Sequence, residues 1–147
     1  MSTVLWLTEL DFSYVDGDEY RLNEDLSFML DGQLFVMPAG SLTDGASIPR
    51  PLWSFVGPPL KGPKTRGCVI HDGGYRGTLI VPVSFRYTRR NIDRLMKHLH
   101  DAGGVPWWQR NLIYRGVRVG GRSSFQGKDG TPFDAPTPAD SKNPRSP

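Results

Sequence analysis

Leu26-Ser27-Phe28-Met29-Leu30, Asp31-Gly32, Gln33-Leu34-Phe35-Val36-Met37 is the stretch whose reading decides the fold class. Two runs of β-favouring residues meet at an Asp-Gly pair. A two-residue type I′ turn needs positive φ at both central positions, and Asp-Gly is among the pairs that supply it. The stretch therefore predicts a tight β-hairpin. Upstream, Phe12-Ser13-Tyr14-Val15 and Tyr20-Arg21-Leu22 flank Asp16-Gly17-Asp18-Glu19 and predict a second, longer hairpin, with residues 4–7 as a further strand. One antiparallel sheet with a single buried face is the expected arrangement.

Downstream of the hairpin the pattern changes. Pro38 stops the last strand, because proline cannot donate to a ladder. A polar loop punctuated by Gly and Pro follows over residues 39–49 and leads to Arg50-Pro51-Leu52-Trp53 and Gly57-Pro58-Pro59. Long loops inside small domains tend to be functional. Thr88 then stands as an N-cap for a helix whose Ile92, Leu95, Met96 and Leu99 recur at i, i+3, i+4 and i+7. Gly103-Gly104 ends that helix, and Pro106 opens another from Trp107 to about Val117. The fold class expected is α+β, with N-terminal antiparallel hairpins packed on a C-terminal group of about three helices. Residues 1–121 form one domain in this reading. Residues 122–147, rich in Pro, Ser and Gly, form a flexible tail.

Composition narrows the class of protein. A chain of 147 residues is the size of one domain and long enough to bury a core without staples. Its one cysteine, Cys68, excludes an internal disulfide framework and suits a reducing cytoplasm. No apolar run approaches the roughly 20 residues that a membrane helix needs, and the start lacks the marks of a secretion signal. The net charge of +3 hides an asymmetry. Residues 1–31 carry eight carboxylates against Arg21 alone, so the remainder holds a net +10. A basic surface can meet phosphates or anionic head groups, and it can equally be a solvated face.

The residues that could do chemistry cluster in Cys68-Val69-Ile70-His71-Asp72-Gly73-Gly74-Tyr75-Arg76. On a helix, His71 and Tyr75 share a face while Asp72 points about 100° away. Gly73 and Gly74 each cost a helix about 1 kcal/mol relative to alanine. Either the helix ends there or something must approach closely. Asp93 lies at the edge of the later apolar stripe, placed to be half-buried and to meet a neighbouring helix. Histidine titrates near neutrality and can take a proton from water, and a carboxylate on its other nitrogen would fix the tautomer. That role falls to Asp93, with Tyr75 bracing it. Asp72 and Asp44, the latter in Thr43-Asp44-Gly45-Ala46-Ser47, are the candidates to hold a hard cation such as Ca²⁺. Against these stand plainer readings: a His-Asp pair that satisfies buried polar groups, and an Asp-Gly that makes a turn. Cys68 and His71 are two ligands only, too few for zinc. His98 and His100 are expected at the surface, and Trp53, Trp107 and Trp108 in the core.

Phe35-Val-Met-Pro-Ala-Gly40, Thr43-Asp-Gly-Ala-Ser-Ile-Pro-Arg-Pro-Leu-Trp53, His71-Asp72-x-x-Tyr75 and Arg90-x-x-Asp93 together resemble the phage-associated domain-of-unknown-function family 1353 over roughly residues 30–120. The resemblance implies a phage or prophage product acting in the host cytoplasm or incorporated in the virion, and it carries no activity. Cys68-x-x-His71-Asp72-x-Gly74-Tyr75-Arg76 followed by a helix bearing Asp93 also looks like the catalytic helix pair of bacterial phospholipase A2. That likeness implies His71 as base, Asp93 as its orienting carboxylate and Asp72 as calcium ligand. The leading expectation is thus a hydrolase of an ester or phospholipid-type bond, with an anionic lipid or ester as substrate. The alternative is a non-enzymatic virion, tail or assembly component partnered with other phage structural proteins, in which the same residues form a buried polar network. Nucleic acid is disfavoured as a partner, since no reading motif for it is present.

Overall fold

The computed structural model describes residues 3–44, 48–121 and Phe125. Within them the N-terminal half is β and the C-terminal half helical, as an α+β protein requires. The strands are β1 (Val4–Trp6), β2 (Phe12–Asp16), β3 (Glu19–Leu22), β4 (Leu26–Leu30), β5 (Gln33–Met37) and β6 (Leu42–Thr43). Asp31 (φ 50°) and Gly32 (φ 80°) make the β4–β5 turn, and Leu30 pairs with Gln33 across it. Alternation buries Phe28 against Phe35, whose rings stack at 5.0 Å. β2 and β3 form the second hairpin, closed over Gly17-Asp18, and β1 pairs with β4.

The strands make two sheets where the pattern predicted one. Their orders are β1-β4-β5 and β2-β3-β6, all antiparallel. The division falls at Pro38, which has no N–H to extend β5. Gly40 (φ 86°) then turns the chain, donating to the Leu22 carbonyl at 2.8 Å, while Leu22 donates back to Ser41 at 2.9 Å. The segment that follows β5 therefore continues on β3. Hydrophobic alternation marks which residues are strands but not which edges they join.

Four α-helices follow: α1 (Trp53–Val56), α2 (Thr65–Arg76), α3 (Arg89–Ala102) and α4 (Trp107–Gly120), with 3₁₀ turns at Arg50–Leu52 and Gly62–Lys64. Thr88 caps α3, its side chain accepting from the Asn91 N–H at 3.1 Å. α2 is the central element, buried along Gly67–Tyr75. It runs straight through Gly73-Gly74 and ends only at Gly77, which has left-handed φ 79°. Close approach explains both glycines. A Cβ on Gly74 would stand 2.6 Å from Ile92 Cγ2 on α3, and one on Gly73 would stand 2.8 Å from the sulfur of Met37. Gly74→Ala should therefore cost about 1–3 kcal/mol of stability by overpacking. The midpoint of urea unfolding measures it. A loss below a few tenths would mean that Ile92 yields freely.

The core has two parts. Phe28, Phe35, Met37, Ile70, Ile92 and Leu95 join the β4–β5 face to α2 and α3, while Cys68, Met96, Ile113 and Val117 join α2 and α3 to α4. Three expectations fail here. Trp107 and Trp108 are exposed on α4 (69% and 49%), because the buried stripe of that helix runs through Ile113 and Val117. His98 is at the surface as expected, but His100 is fully buried against α2. Asp93 is not half-buried but wholly enclosed. The expected tail over 122–147 lies outside the described residues except Phe125, whose ring meets Tyr75 at 5.3 Å. Among the described residues no helix is long and apolar enough to cross a membrane.

Candidate functional site

α2 and α3 pack side by side, and Gly74 lets them do so closely enough for polar side chains to meet across the seam. His71 and Tyr75, one turn apart on α2, both reach Asp93 on α3. His71 Nε2 lies 2.6 Å from Asp93 Oδ1, and the Tyr75 hydroxyl donates to the same oxygen at 2.7 Å. The two rings lie against each other with centroids 4.2 Å apart. His71, Asp93 and Tyr75, the three residues singled out for catalysis, are therefore one connected group.

The other carboxylate oxygen is held by arginine. Arg118 of α4 donates to Asp93 Oδ2 at 2.8 Å, and Arg89 Nη1 stands 3.7 Å from it. Arg89 also donates to the Val117 and Arg118 carbonyls, satisfying the last turn of α4. Sequence reasoning missed both arginines. Arg89 was legible as an i, i+4 partner of Asp93 on the same helix. Arg118 was not, because only the packing of α4 on α3 brings it there.

Electrostatics follow from these contacts. Burial pushes the Asp93 carboxyl up, but hydrogen bonding and electrostatic attraction from His71, with the hydrogen bonds of Tyr75 and Arg118, carry it below the ordinary carboxylate range. It is ionised at neutral pH and accepts. His71 Nε2 therefore carries the proton in that bond, which makes Nδ1 the basic nitrogen. Burial and the adjacent carboxylate push the Tyr75 phenol well above its usual range, so it stays a donor. Burial of His71 is nearly complete, with 2% of its surface exposed.

Asp72 points away from this group, as helical spacing predicted, and meets the loop that follows β6. It accepts from the Asp44 backbone N–H at 3.1 Å, and Arg76 Nε donates to it at 3.1 Å. Arg76 also reaches the carboxylates of Asp44 at 3.3 Å and Glu19 at 3.0 Å. Burial raises the Asp72 carboxyl, against the lowering effect of Arg76. The two carboxylates expected to hold Ca²⁺ thus converge on a guanidinium. Among the described residues no three His, Cys, Asp or Glu side chains are grouped so as to hold a metal ion. Arg76, an i, i+4 partner of Asp72, carried a legible local signal that the sequence reading passed over.

Cys68 is a poor nucleophile. Burial pushes its thiol up to about 12, and His100 Nε2 lies 3.7 Å from its sulfur. Beside the Asp44 loop lies an open cleft of about 420 Å³, lined by Asp18, Tyr20, Asp44, Ile48, Trp53 and Pro58 among others. Neither His71 nor Asp93 lines it. Asp44 on its rim bonds Asp72, the chain neighbour of His71.

Comparison with known proteins places the chain. No solved structure matches it. It is 31% identical over 112 residues to an uncharacterized protein, y4jT, of Sinorhizobium fredii (strain NBRC 101917 / NGR234), covering 74% of this chain and 31% of that protein. The chain therefore spans about a third of the relative's length. Residues 20–117, which hold every member of the His71–Asp93–Tyr75 group and the Asp44–Asp72–Arg76 cluster, match the family described as "Protein of unknown function (DUF1353)". With about two thirds of its length inside that match, the chain belongs to the DUF1353 family.

Proposed function

We propose that the chain is a hydrolase of ester bonds, including phospholipid-type esters, with His71 as general base. The observation that carries the reading is the shared acceptor: Asp93 Oδ1 takes both His71 Nε2 and the Tyr75 hydroxyl. This orients the imidazole, fixes its tautomer and supplies a counter-charge for the imidazolium. His71 Nδ1 takes a proton from water, the water oxygen bonds to the ester carbonyl carbon, and the carbon–alkoxy bond breaks. The proton then passes from His71 to the departing alkoxide. The likeness of His71-Asp72-x-x-Tyr75 and a helix-borne Asp93 to bacterial phospholipase A2 supports the bond type. The open cleft beside Asp44, whose backbone N–H bonds the neighbouring Asp72, offers space for a substrate.

Hydrolysis of a phospholipid and short-chain ester panel by the purified protein tests this. His71→Ala is expected to lower the rate by about 10²–10⁴-fold, the range for a positioned base. Activity surviving that substitution sinks the proposal. The reading also requires that water reach His71, so exchange of its imidazole C2 hydrogen in D₂O should proceed within the range of an accessible histidine.

A second reading is supported by the burial of the ring and by the two arginines on Asp93. In it the group is a polar lock joining α2, α3 and α4, and the protein is a non-enzymatic virion or assembly component of a phage or prophage. Stoichiometric copies in purified particles, with no ester turnover, favour this reading over the hydrolase.

A further inference from the structure

The outer surface of α3 and α4 carries a feature unrelated to the His71 group. Between the two helices runs an open groove of about 600 Å³, lined by Arg94, Lys97, His98, Asp101, Arg110 and Tyr114. Its α3 wall presents Arg94 and Lys97–His98 at successive turns, about 5.4 Å apart along the axis. Its α4 wall presents Arg110 and Tyr114; the exposed Trp107, three residues before Arg110 on the same helix face, is not part of the lining. Three permanent cations thus face one carboxylate, Asp101, which is occupied by Arg110 at 3.4 Å. Arg94 has no ion-pair partner among the described residues. Lys97 lies over the Tyr114 ring with its nitrogen 5.0 Å from the centroid.

We propose that this groove binds single-stranded nucleic acid without sequence preference. Cations along one wall can follow a phosphate backbone. The exposed Trp107, on the same face of α4, offers a ring on which bases stack, and Tyr114 offers a second once Lys97 turns from it to a phosphate, the combination that sequence-tolerant grooves of this kind use. The shape selects among polyanions. A bilayer is flat and cannot reach a half-buried ring lying beneath Lys97, and a duplex hides the faces of its bases. The missing reading motif that disfavoured nucleic acid at the level of sequence bears on base-specific recognition, which this groove does not require. A hydrophobic periodicity cannot show that two basic helices set their charges into one channel. The packing of Ile113 and Val117 on Met96 does so.

Fluorescence anisotropy with the full chain and a labelled mixed-sequence oligonucleotide of about 16 nucleotides tests the proposal. With phosphate contacts from Arg94 and Lys97, log K should fall against log salt with a slope of about −1.4. Binding should quench tryptophan fluorescence, and Trp107→Ala should weaken binding by about fivefold or more and remove most of the quench. The double charge reversal Arg94→Glu, Lys97→Glu should weaken binding by about tenfold or more at low salt. Both variants alter exposed or half-buried side chains, and unchanged thermal unfolding confirms that each is folded. Equal affinity for the duplex of the same sequence overturns the proposal. So does equal affinity for vesicles of phosphatidylcholine with phosphatidylglycerol, or an unchanged affinity after charge reversal.

Discussion

Asp93→Ala is expected to destabilise the protein by about 3–5 kcal/mol, the range for removing one partner from a buried ion pair. The groups that the missing carboxylate leaves behind account for most of that cost. Arg118 and Arg89 keep their charges in a site built around a carboxylate, and the Tyr75 hydroxyl and His71 Nε2 are deprived of their shared acceptor. Three helices feel the change at once, because these partners come from α2, α3 and α4. Asp93→Asn keeps the shape and one acceptor oxygen, so its cost should be smaller, though the charge imbalance remains. Urea unfolding of both variants gives the two numbers. A loss under about 1 kcal/mol for the alanine variant, the scale of an exposed ion pair, would mean that solvent already screens the site.

Acid is expected to destabilise the folded state well before the carboxylates titrate, through His100. Burial, with the nearby basic groups His71 and Lys64, lowers this imidazole from 6.5 to about 4, against the raising effect of its bond to the Lys64 carbonyl. Its Nε2 donates to that carbonyl at 3.2 Å, and Nδ1 has no hydrogen-bond partner among the described residues. The folded chain therefore refuses a proton that the unfolded chain accepts below about 6.5. Stability is full above that pH and is lost as pH falls towards 4, by up to roughly 3 kcal/mol. Below that window Asp93, whose carboxyl is lowered in the fold, continues the loss in the same sense. Asp72, raised by burial despite Arg76, acts in the opposite sense: the folded state binds its proton more tightly than the unfolded one. His100→Gln, which can still donate to Lys64, should flatten the slope between pH 6.5 and 4. An unchanged slope would assign it to other groups.

The candidate site was legible to the extent that it is local. Helical spacing placed His71 and Tyr75 on one face and turned Asp72 aside, and both placements hold. Asp93 was identified from its position beside Ile92 on the apolar stripe. Its depth was underestimated, because burial at the edge of a stripe depends on a third helix that periodicity does not reveal. The same gap explains His100. One residue after Leu99, it reads as leaving the core, yet Gly67 on α2 opens a space that its ring fills, with a Cβ there 2.4 Å from His100 Cδ2. Trp107 and Trp108 erred in the other direction, since large aromatic area favours burial only where a neighbour exists to cover it.

By itself the sequence determined the Asp31-Gly32 hairpin, the second hairpin, the Thr88-capped helix and the division into a β half and a helical half. Each of these depends on residues a few positions apart, within reach of turn chemistry, capping and periodicity. The tertiary structure alone decided that β6 joins β3, that Arg118 closes on Asp93, that Arg76 gathers Asp44, Asp72 and Glu19, and that basic side chains of α3 and α4 line one groove. These contacts join segments far apart along the chain. The packing that selects them is a property of all the elements together, so no short stretch encodes it.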